Sequence, residues 1–269
     1  MRAFATHFAF EFKTGLRNSN QLMINYLFPA GFYAIMGLVM TKINPLFADT
    51  MVPSMAVFAI VASTIVGMPG PLVEAREAGI YRSYKINGVP AISILVIPAL
   101  TTIFHALIAA TLIALSAPLL FGGRAPVDWA ALALVIVAAA MSCGGIGALI
   151  SVIAKDTRAT VLWSQLIFLP SMLIGGMMIP ADLLPPSIAP ISLLLPTTHA
   201  MQAAIGLAFH EETILPAALS LAVLIASSLV SFALATYLFN WDTRNATRRG
   251  HPLMALLAWV PFALTILAA

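Results

Sequence analysis

Long apolar stretches alternate along this chain with short gaps, and the basic residues fall in every second gap. The gap before the first stretch and those after the second, fourth and sixth stretches hold eleven of the thirteen Lys and Arg residues. The remaining gaps hold only Lys42 and Arg124. Because cytoplasmic loops of membrane proteins are enriched in Lys and Arg, this alternation predicts a polytopic membrane protein with a cytoplasmic N-terminus.

The composition argues against a soluble domain. Hydrophobic residues make up 61% of the chain and charged residues only 9%, whereas a soluble domain carries about 25% charged residues. So much apolar surface requires lipid as its solvent. The net charge of +3 then reflects orientation and attraction to the inner leaflet, and no nucleic-acid partner is expected.

Six apolar stretches are long enough to cross a bilayer, since about 20 helical residues at ~1.5 Å each span its ~30 Å core. The predicted spans are 21–41, 52–73, 90–121, 129–153, 159–179 and 214–239. The third is longer than one span needs and is expected to begin along the membrane surface. A seventh stretch, 252–269, has Pro261 in its middle, and a spanning helix is favoured over an interfacial one.

The residues before the first span have an amphipathic pattern. Phe4, Phe8, Phe12 and Leu16 recur every four positions, which places them in one apolar stripe on a helix. This pattern favours a helix that lies flat on the inner membrane surface. A helix packed on protein and facing water is the alternative.

The apolar region 180–212 is broken by prolines. Five of them fall within 17 positions: Pro180, Pro185, Pro186, Pro190 and Pro196. Proline lacks a backbone donor and clashes with the preceding turn, so a single spanning helix is excluded here. We predict short helices that dip into the outer leaflet and return, surrounded by protein or water.

Chemically active groups are scarce in the predicted spans. These spans contain no Asp, Glu, Lys or Arg, which argues against ion-coupled transport. The chain has no phosphate-binding loop, H-E-x-x-H pair, C-x-x-C pair or G-x-S-x-G elbow, so no catalytic or metal site is expected. His105 lies inside a span, and a hydrogen bond to a neighbouring helix is the favoured interpretation. The small residues between Ala140 and Ser151 predict tight helix packing.

The gap after the second span has the features of a docking segment. Glu74 and Glu77 share one face of a short helix. After an interruption at Gly79, Ile80 and Tyr84 share another face. Protruding charged, Ile and Tyr side chains suit a groove on a cytoplasmic partner. On these residues alone, a solvated loop that only anchors orientation is an equal alternative.

Two motifs, in this order, resemble those of the ABC-2 type ABC-transporter permeases. Arg76-Glu77-x-Gly79 followed by Asn87-Gly88-Val89-Pro90 is similar to the loop after that family's second span. Leu195-Pro196-Thr197-Thr198-His199 resembles its broken L-P-x-T segment before the last span. The resemblance covers about residues 1–241. Ile80 stands where the family usually has Thr, and Arg82 stands near a position where an acid is common.

The resemblance implies an all-α polytopic membrane protein with a single transmembrane domain over residues 1–269. Residues 1–20 would be an interfacial elbow helix, and 21–241 a six-span core. The core would include a re-entrant hairpin before the sixth span, and 252–269 would be an extra C-terminal hydrophobic helix. The hairpin residues singled out are Pro180, Pro196, Thr197 and His199.

The resemblance also implies a transport subunit rather than an enzyme. Such a subunit pairs with a second permease copy, here expected to be identical. It also binds two copies of a separate ABC ATPase, which holds the ATP and Mg²⁺, so this chain itself needs no cofactor. The implied ATPase coupling residues are Glu74, Arg76, Glu77, Gly79, Tyr81, Arg82 and Tyr84.

In this family the first, second and fifth spans line the substrate path. The candidates here are Asn25, Tyr26, Tyr33, Gln165, Met172, Met177 and Met178. Met and aromatic side chains form an adaptable apolar surface, although ordinary helix packing is the plainer interpretation of each. We therefore expect export of a hydrophobic or amphipathic substrate (a drug, natural product or lipid-like molecule) across a bacterial plasma membrane. The alternatives are a non-transporting scaffold or immunity protein and, less favoured, an intramembrane lipid-modifying enzyme.

Overall fold

The computed structural model describes residues 2–241 and 250–267, and every regular element in these ranges is helical. In chain order the helices are α1 (Arg2–Arg17), α2 (Ser19–Ile43), α3 (Phe47–Glu77), α4 (Ile80–Ile86), α5 (Ala91–Phe121), α6 (Trp129–Ile153), α7 (Thr157–Ile174), α8 (Pro196–Ala208), α9 (Ala217–Leu238) and α10 (Val260–Ile266). Five of them, α2, α3, α5, α6 and α9, are long and apolar enough to cross a membrane. The protein is therefore an all-α, multi-pass membrane protein. Arg244, Arg248 and Arg249, the basic residues of the gap after the sixth apolar stretch, lie outside the described ranges.

The third apolar stretch differs from its prediction. Residues 91–121 form one uninterrupted helix with Pro98 and Pro118 inside it, and not a surface segment followed by a span. Its 31 residues measure about 46 Å at ~1.5 Å each, which exceeds the ~30 Å apolar core. α5 is therefore longer than a single crossing of the apolar core requires.

The fifth stretch is shorter than predicted. α7 ends at Ile174, not near residue 179, and it is not among the five helices that qualify as membrane-crossing. Gly176 explains the early end, because its φ of +85° is the left-handed conformation in which helices terminate. From residue 175 to 195 the chain holds a 3₁₀ turn (Ala181–Leu183) and a short helix (Ala189–Ser192), in line with the broken backbone that the prolines predict.

The C-terminal stretch is not the single helix that was predicted. Pro252–Trp259 is a 3₁₀ segment, and only Val260–Ile266 is α-helical. Pro261 lies in the first turn of the α-helical part, where its missing N–H leaves no helical hydrogen bond unmade. Phe262 is fully buried, and its ring lies 5.4 Å from that of His199. The stretch is therefore anchored in the protein core.

The N-terminal helix packs on α5. Phe8 and Phe12 present ring edges to Phe104, with centroids 6.3 Å and 5.7 Å away. Leu16, the last residue of the predicted apolar stripe, is exposed. Part of the stripe therefore contacts protein, as the alternative interpretation of this segment required.

Glycines in α6 bring it unusually close to two neighbours. A Cβ on Gly144 would lie 2.5 Å from Ile103 of α5, and a Cβ on Gly145 would lie 2.9 Å from Ser231 of α9. Real Cβ atoms do not approach so closely, so a side chain at Gly144 would force Ile103 to move and one at Gly145 would force α9 to shift. The predicted small-residue stripe thus makes helix contacts on more than one face of α6.

Gly147 brings α6 equally close to α3. The nearest atom to a Cβ at this position would be the backbone carbonyl oxygen of Thr64. Thr64 belongs to a π-helical segment of α3, Ala62–Gly67, and π-helical turns commonly mark functional positions in helices. Because the obstructing atom belongs to the backbone, it cannot rotate away as a side chain would.

Gly147→Ala therefore places a methyl group against the Thr64 carbonyl. We expect a clearly lower melting temperature for the purified chain in detergent, reflecting the ~1–3 kcal/mol cost of overpacking. Gly31→Ala is the matched control, because a Cβ at Gly31 has no neighbour within 4 Å and alanine favours a helix. Equal melting temperatures for the two variants would contradict this account of α6.

Candidate functional site

Residues 74–90, which comprise the last turn of α3, all of α4 and the residues before α5, are called the coupling segment below. Two glycines shape it: Gly79 has a φ of +77° and separates α3 from α4, and Gly88 has a φ of +73° before α5 begins. Both conformations favour glycine because they crowd a Cβ. The predicted helix interruption at Gly79 is therefore where the chain turns.

Arg76 connects the coupling segment to the end of α6. Its side chain is 6% exposed, and its Nη1 donates to the carbonyls of Ser151 at 3.0 Å and Val152 at 3.2 Å. Its Nη2 donates to the carbonyl of Ala154. These are the last carbonyls of α6, which lack helical partners and carry the negative end of the helix dipole. Arg76 therefore caps α6 from a different part of the chain.

Tyr81 holds α4 against α3. Its buried hydroxyl donates to the Leu72 carbonyl at 2.9 Å, and its ring lies 5.8 Å from that of Phe239. Burial raises the pKa of Tyr81 well above its ordinary value of 10, and the nearby Arg76 charge offsets part of that rise. The hydroxyl consequently keeps its proton at pH values where an exposed tyrosine ionises.

The exposed side chains of the coupling segment form what we call the docking face. Its members are the exposed residues Glu74, Glu77, Arg82 and Ile86. Ile80 is also exposed, but it lines a cavity under α1. Ile86 is 85% exposed at the end of α4. Glu77 Oε2 also accepts a hydrogen bond from the Thr157 hydroxyl of α7 at 3.0 Å, so this face adjoins the turn between α6 and α7.

The structure divides the predicted coupling residues between two layers. Glu74, Glu77 and Arg82 lie on the docking face, while Arg76 and Tyr81 lie beneath it. Gly79 forms the turn, and the half-buried Tyr84 faces a cavity under α1. Sequence reasoning missed Ile86. The available signal was its place beside the polar Asn87-Gly88 turn, where an apolar side chain has little protein to cover it.

The predicted substrate-path tyrosines hold α2 on α5. The Tyr26 hydroxyl lies 2.6 Å from His105 Nδ1, and the Tyr33 hydroxyl lies 2.9 Å from Ser116 Oγ. The hydrogen bond predicted for His105 to a neighbouring helix is thus present. The other path candidates are the buried Asn25 and Met177 and the half-buried Gln165, Met172 and Met178.

Three helices of the expected path meet at an aromatic cluster that sequence reasoning did not single out. Phe32 of α2 stacks on Phe58 of α3 with ring centroids 4.1 Å apart. Phe58 in turn lies 5.9 Å from Phe168 of α7. The only sequence signal was a Phe in each stretch, and spacing along the chain does not show that the three rings meet.

The predicted hairpin residues satisfy the broken backbone before α8. His199 Nε2 lies 2.8 Å from the Leu193 carbonyl, and Thr197 Oγ1 lies 3.4 Å from the Ser171 carbonyl of α7. Pro196 is buried at the start of α8. Pro180 is half-buried and accepts the backbone hydrogen bond of the 3₁₀ turn that follows it.

A family model described as "ABC-2 type transporter" matches residues 2–209, well over half of the chain. The chain belongs to the ABC-2 type transporter family. No curated protein matches it. Permeases of this family are transport subunits without an ATPase motif of their own, and they normally work with an ABC ATPase subunit. In this ABC-2 transporter permease, α9 and the C-terminal stretch lie beyond the matched residues.

Arg76→Lys tests the cap on α6. Lysine keeps the positive charge but cannot donate to three carbonyls with the planar fork of arginine. We expect a lower melting temperature in detergent, with a loss on the order of 1–3 kcal/mol. Arg158→Lys is the control, since Arg158 is exposed in the first turn of α7, and it should change stability by less than about 0.5 kcal/mol. If both variants have the melting temperature of the wild type, Arg76 does not stabilise α6.

Tyr81→Phe tests the buried hydroxyl. At pH 7 the variant should be about 1 kcal/mol less stable, because its bond to the Leu72 carbonyl is gone. Above pH ~10 an unfolded tyrosine ionises while folded Tyr81 keeps its proton, so the wild type loses stability as pH rises. The drop in melting temperature from pH 7 to pH 11 should therefore be larger for the wild type than for Tyr81→Phe. Parallel pH curves would show that Tyr81 is not protected from ionisation.

Proposed function

We propose that this chain is the membrane-spanning subunit of an ATP-driven ABC exporter. It moves a hydrophobic or amphipathic substrate, such as a drug, a natural product or a lipid-like molecule, out of the cell across the bacterial plasma membrane. It works as a homodimer with two copies of a separate ATPase that holds ATP and Mg²⁺, and its N-terminus is cytoplasmic. The docking face is the observation that supports this proposal best.

The docking face suits a partner that must push on the membrane helices. Ile86 offers an exposed apolar side chain with acidic and basic groups around it, as in an interface with an apolar centre and a polar rim. The face lies in a gap rich in Lys and Arg, which predicts the cytoplasmic side. An ATPase present in the cytoplasm would meet it there.

The layer beneath the docking face supports a role in coupling. Arg76 joins α3 to the end of α6, and Tyr81 joins α4 to α3. Close-packed interiors transmit strain because they compress little. A displacement of α4 by an ATPase would therefore reach α3 and α6 together.

The exposed apolar surface supports a second permease copy and an apolar substrate. Only 28% of the apolar window of α2 is buried, against 89% for α3. α2 and α3 meet α7 at the cluster around Phe58, where the side chains are aromatic and apolar. We propose that α2 and α7 of two copies enclose the path. The broken segment before α8 would act as a re-entrant hairpin on the outer side.

Affinity purification of this chain from its native membranes, with recovery of an ABC ATPase subunit as the readout, tests the proposal. The wild-type chain should retain the ATPase through affinity and size-exclusion steps. The double variant Arg82→Glu, Ile86→Asp should recover about tenfold less ATPase, because a charge replaces the exposed apolar contact, a change of ~1.4 kcal/mol.

Val127→Asp is the matched control for this experiment. Val127 is equally an exposed apolar residue, but it lies in the loop between α5 and α6, in the gap predicted to be outside. It should retain the ATPase at the wild-type level. A wild-type chain that retains no ATPase would contradict the proposal and favour a non-transporting scaffold.

A further inference from the structure

A cavity of about 170 Å³ lies between α1, the first half of α5 and the coupling segment. It has room for about five water-sized groups at ~30 Å³ each, which suits a small polar group and not a whole drug-sized substrate. Polar side chains from four helices line it, namely His7, Glu11, Gln21, Tyr84, Thr102 and His105.

His105 forms the buried wall of the cavity. It is 3% exposed, stacks on Phe12 with centroids 4.4 Å apart, and places Nδ1 2.6 Å from the Tyr26 hydroxyl. Nε2 is buried without a hydrogen-bond partner among the described residues, although the Phe12 carbonyl approaches the ring. An unsatisfied buried polar atom is costly. Because the Tyr26 hydroxyl can donate or accept, Nε2 can present a lone pair to a ligand.

Gly15 keeps the space beside this nitrogen open. A Cβ on Gly15 would lie 3.0 Å from His105 Nε2 and 3.0 Å from Gln21 Oε1. The missing side chain therefore leaves two acceptor atoms converging on one small volume. This geometry suits a ligand that carries several N–H donors.

The charge of the cavity wall selects the kind of ligand. Glu11 contributes a carboxylate, 3.5 Å from His7 Nε2. Among the described residues that line the cavity, none is Lys or Arg, so a phosphate would lose its hydration without gaining a cation. An ammonium group has three donors and no acceptor, and the aromatic ring of Tyr84 can also face a cation favourably.

We propose that this cavity binds a primary ammonium group. The Glu11 carboxylate supplies the opposite charge, and Gln21 Oε1 and His105 Nε2 accept N–H hydrogen bonds. The group belongs either to the headgroup of a membrane amphiphile or to a free small amine, and both share this chemistry. A bound ammonium would connect α1 to the wall that Tyr84 of α4 contributes. Binding of an ammonium group to this chain would not depend on transport or on the ATPase.

Titration calorimetry of the full chain in a neutral maltoside detergent tests the site. The probes are ethylammonium, hexylammonium and hexanoate. Hexylammonium should bind with one site per chain, and hexanoate should not bind there. Comparable binding of ethylammonium would identify a free amine as sufficient, whereas binding of hexylammonium alone would identify the headgroup of an amphiphile.

Two variants locate the binding. Glu11→Gln removes the charge at constant size, and Gly15→Ala fills the space beside the two acceptors. Each should weaken hexylammonium binding at least tenfold, ~1.4 kcal/mol. The controls Glu212→Gln, an exposed acid elsewhere, and Gly31→Ala, a glycine with open space, should bind within about twofold of the wild type, a difference below ~0.5 kcal/mol.

Three results would overturn the proposal. These are no hexylammonium binding to the wild type, wild-type affinity in Glu11→Gln, or hexanoate binding with the same sensitivity to the variants. Melting temperatures of all variants separate loss of the site from loss of the fold. If Gly15→Ala does not fold, the hexylammonium affinity of Glu11→Gln alone still tests the site.

Discussion

The close approach of α6 to three neighbouring helices is the constraint on which the rest of the structure depends. In lipid, helices associate through van der Waals packing and hydrogen bonds and not through the hydrophobic effect, so distance between backbones matters greatly. Gly144, Gly145 and Gly147 bring α6 against α5, α9 and α3 respectively. Both ends of α6 are also capped, by the Asp128 carboxylate and the Arg76 guanidinium. α6 is therefore the fixed element around which the other helices are arranged.

The coupling segment acquires its significance from α6. A charged loop beside a membrane is in general only a marker of orientation. Here Arg76 binds the end of α6 and Glu77 contacts Thr157 at the start of α7. The basic gap that contains α4 and the basic gap between α6 and α7 are thus parts of one surface. An ABC ATPase that engages this surface would act on several helices at once, and the cavity under α1 lies directly beside it.

The candidate site was predictable from the sequence to the level of the segment, but not to the level of each side chain. Glycine at a required turn and charged residues on a short helix are local properties, so the turn at Gly79 and the exposure of Glu77 and Arg82 follow from the sequence. Arg76 looks equivalent to Arg82 in the sequence, yet it is buried because its partners are carbonyls about 75 residues away. Tyr26 and Tyr33 likewise face α5 for reasons that no local pattern contains.

The sequence by itself determined the membrane environment, the bounds of α5 and α6 almost to the residue, the broken backbone before α8, and the family. These follow from hydropathy, charge alternation and proline chemistry, which act on a few neighbouring residues. The tertiary structure decided the early end of α7, the unbroken α5, the 3₁₀ form of Pro252–Trp259, the burial of Arg76, and the cavity beside Gly15. Each of these depends on which distant groups meet, and helix contacts in lipid are selected by shape and hydrogen-bond partners that a linear pattern does not contain.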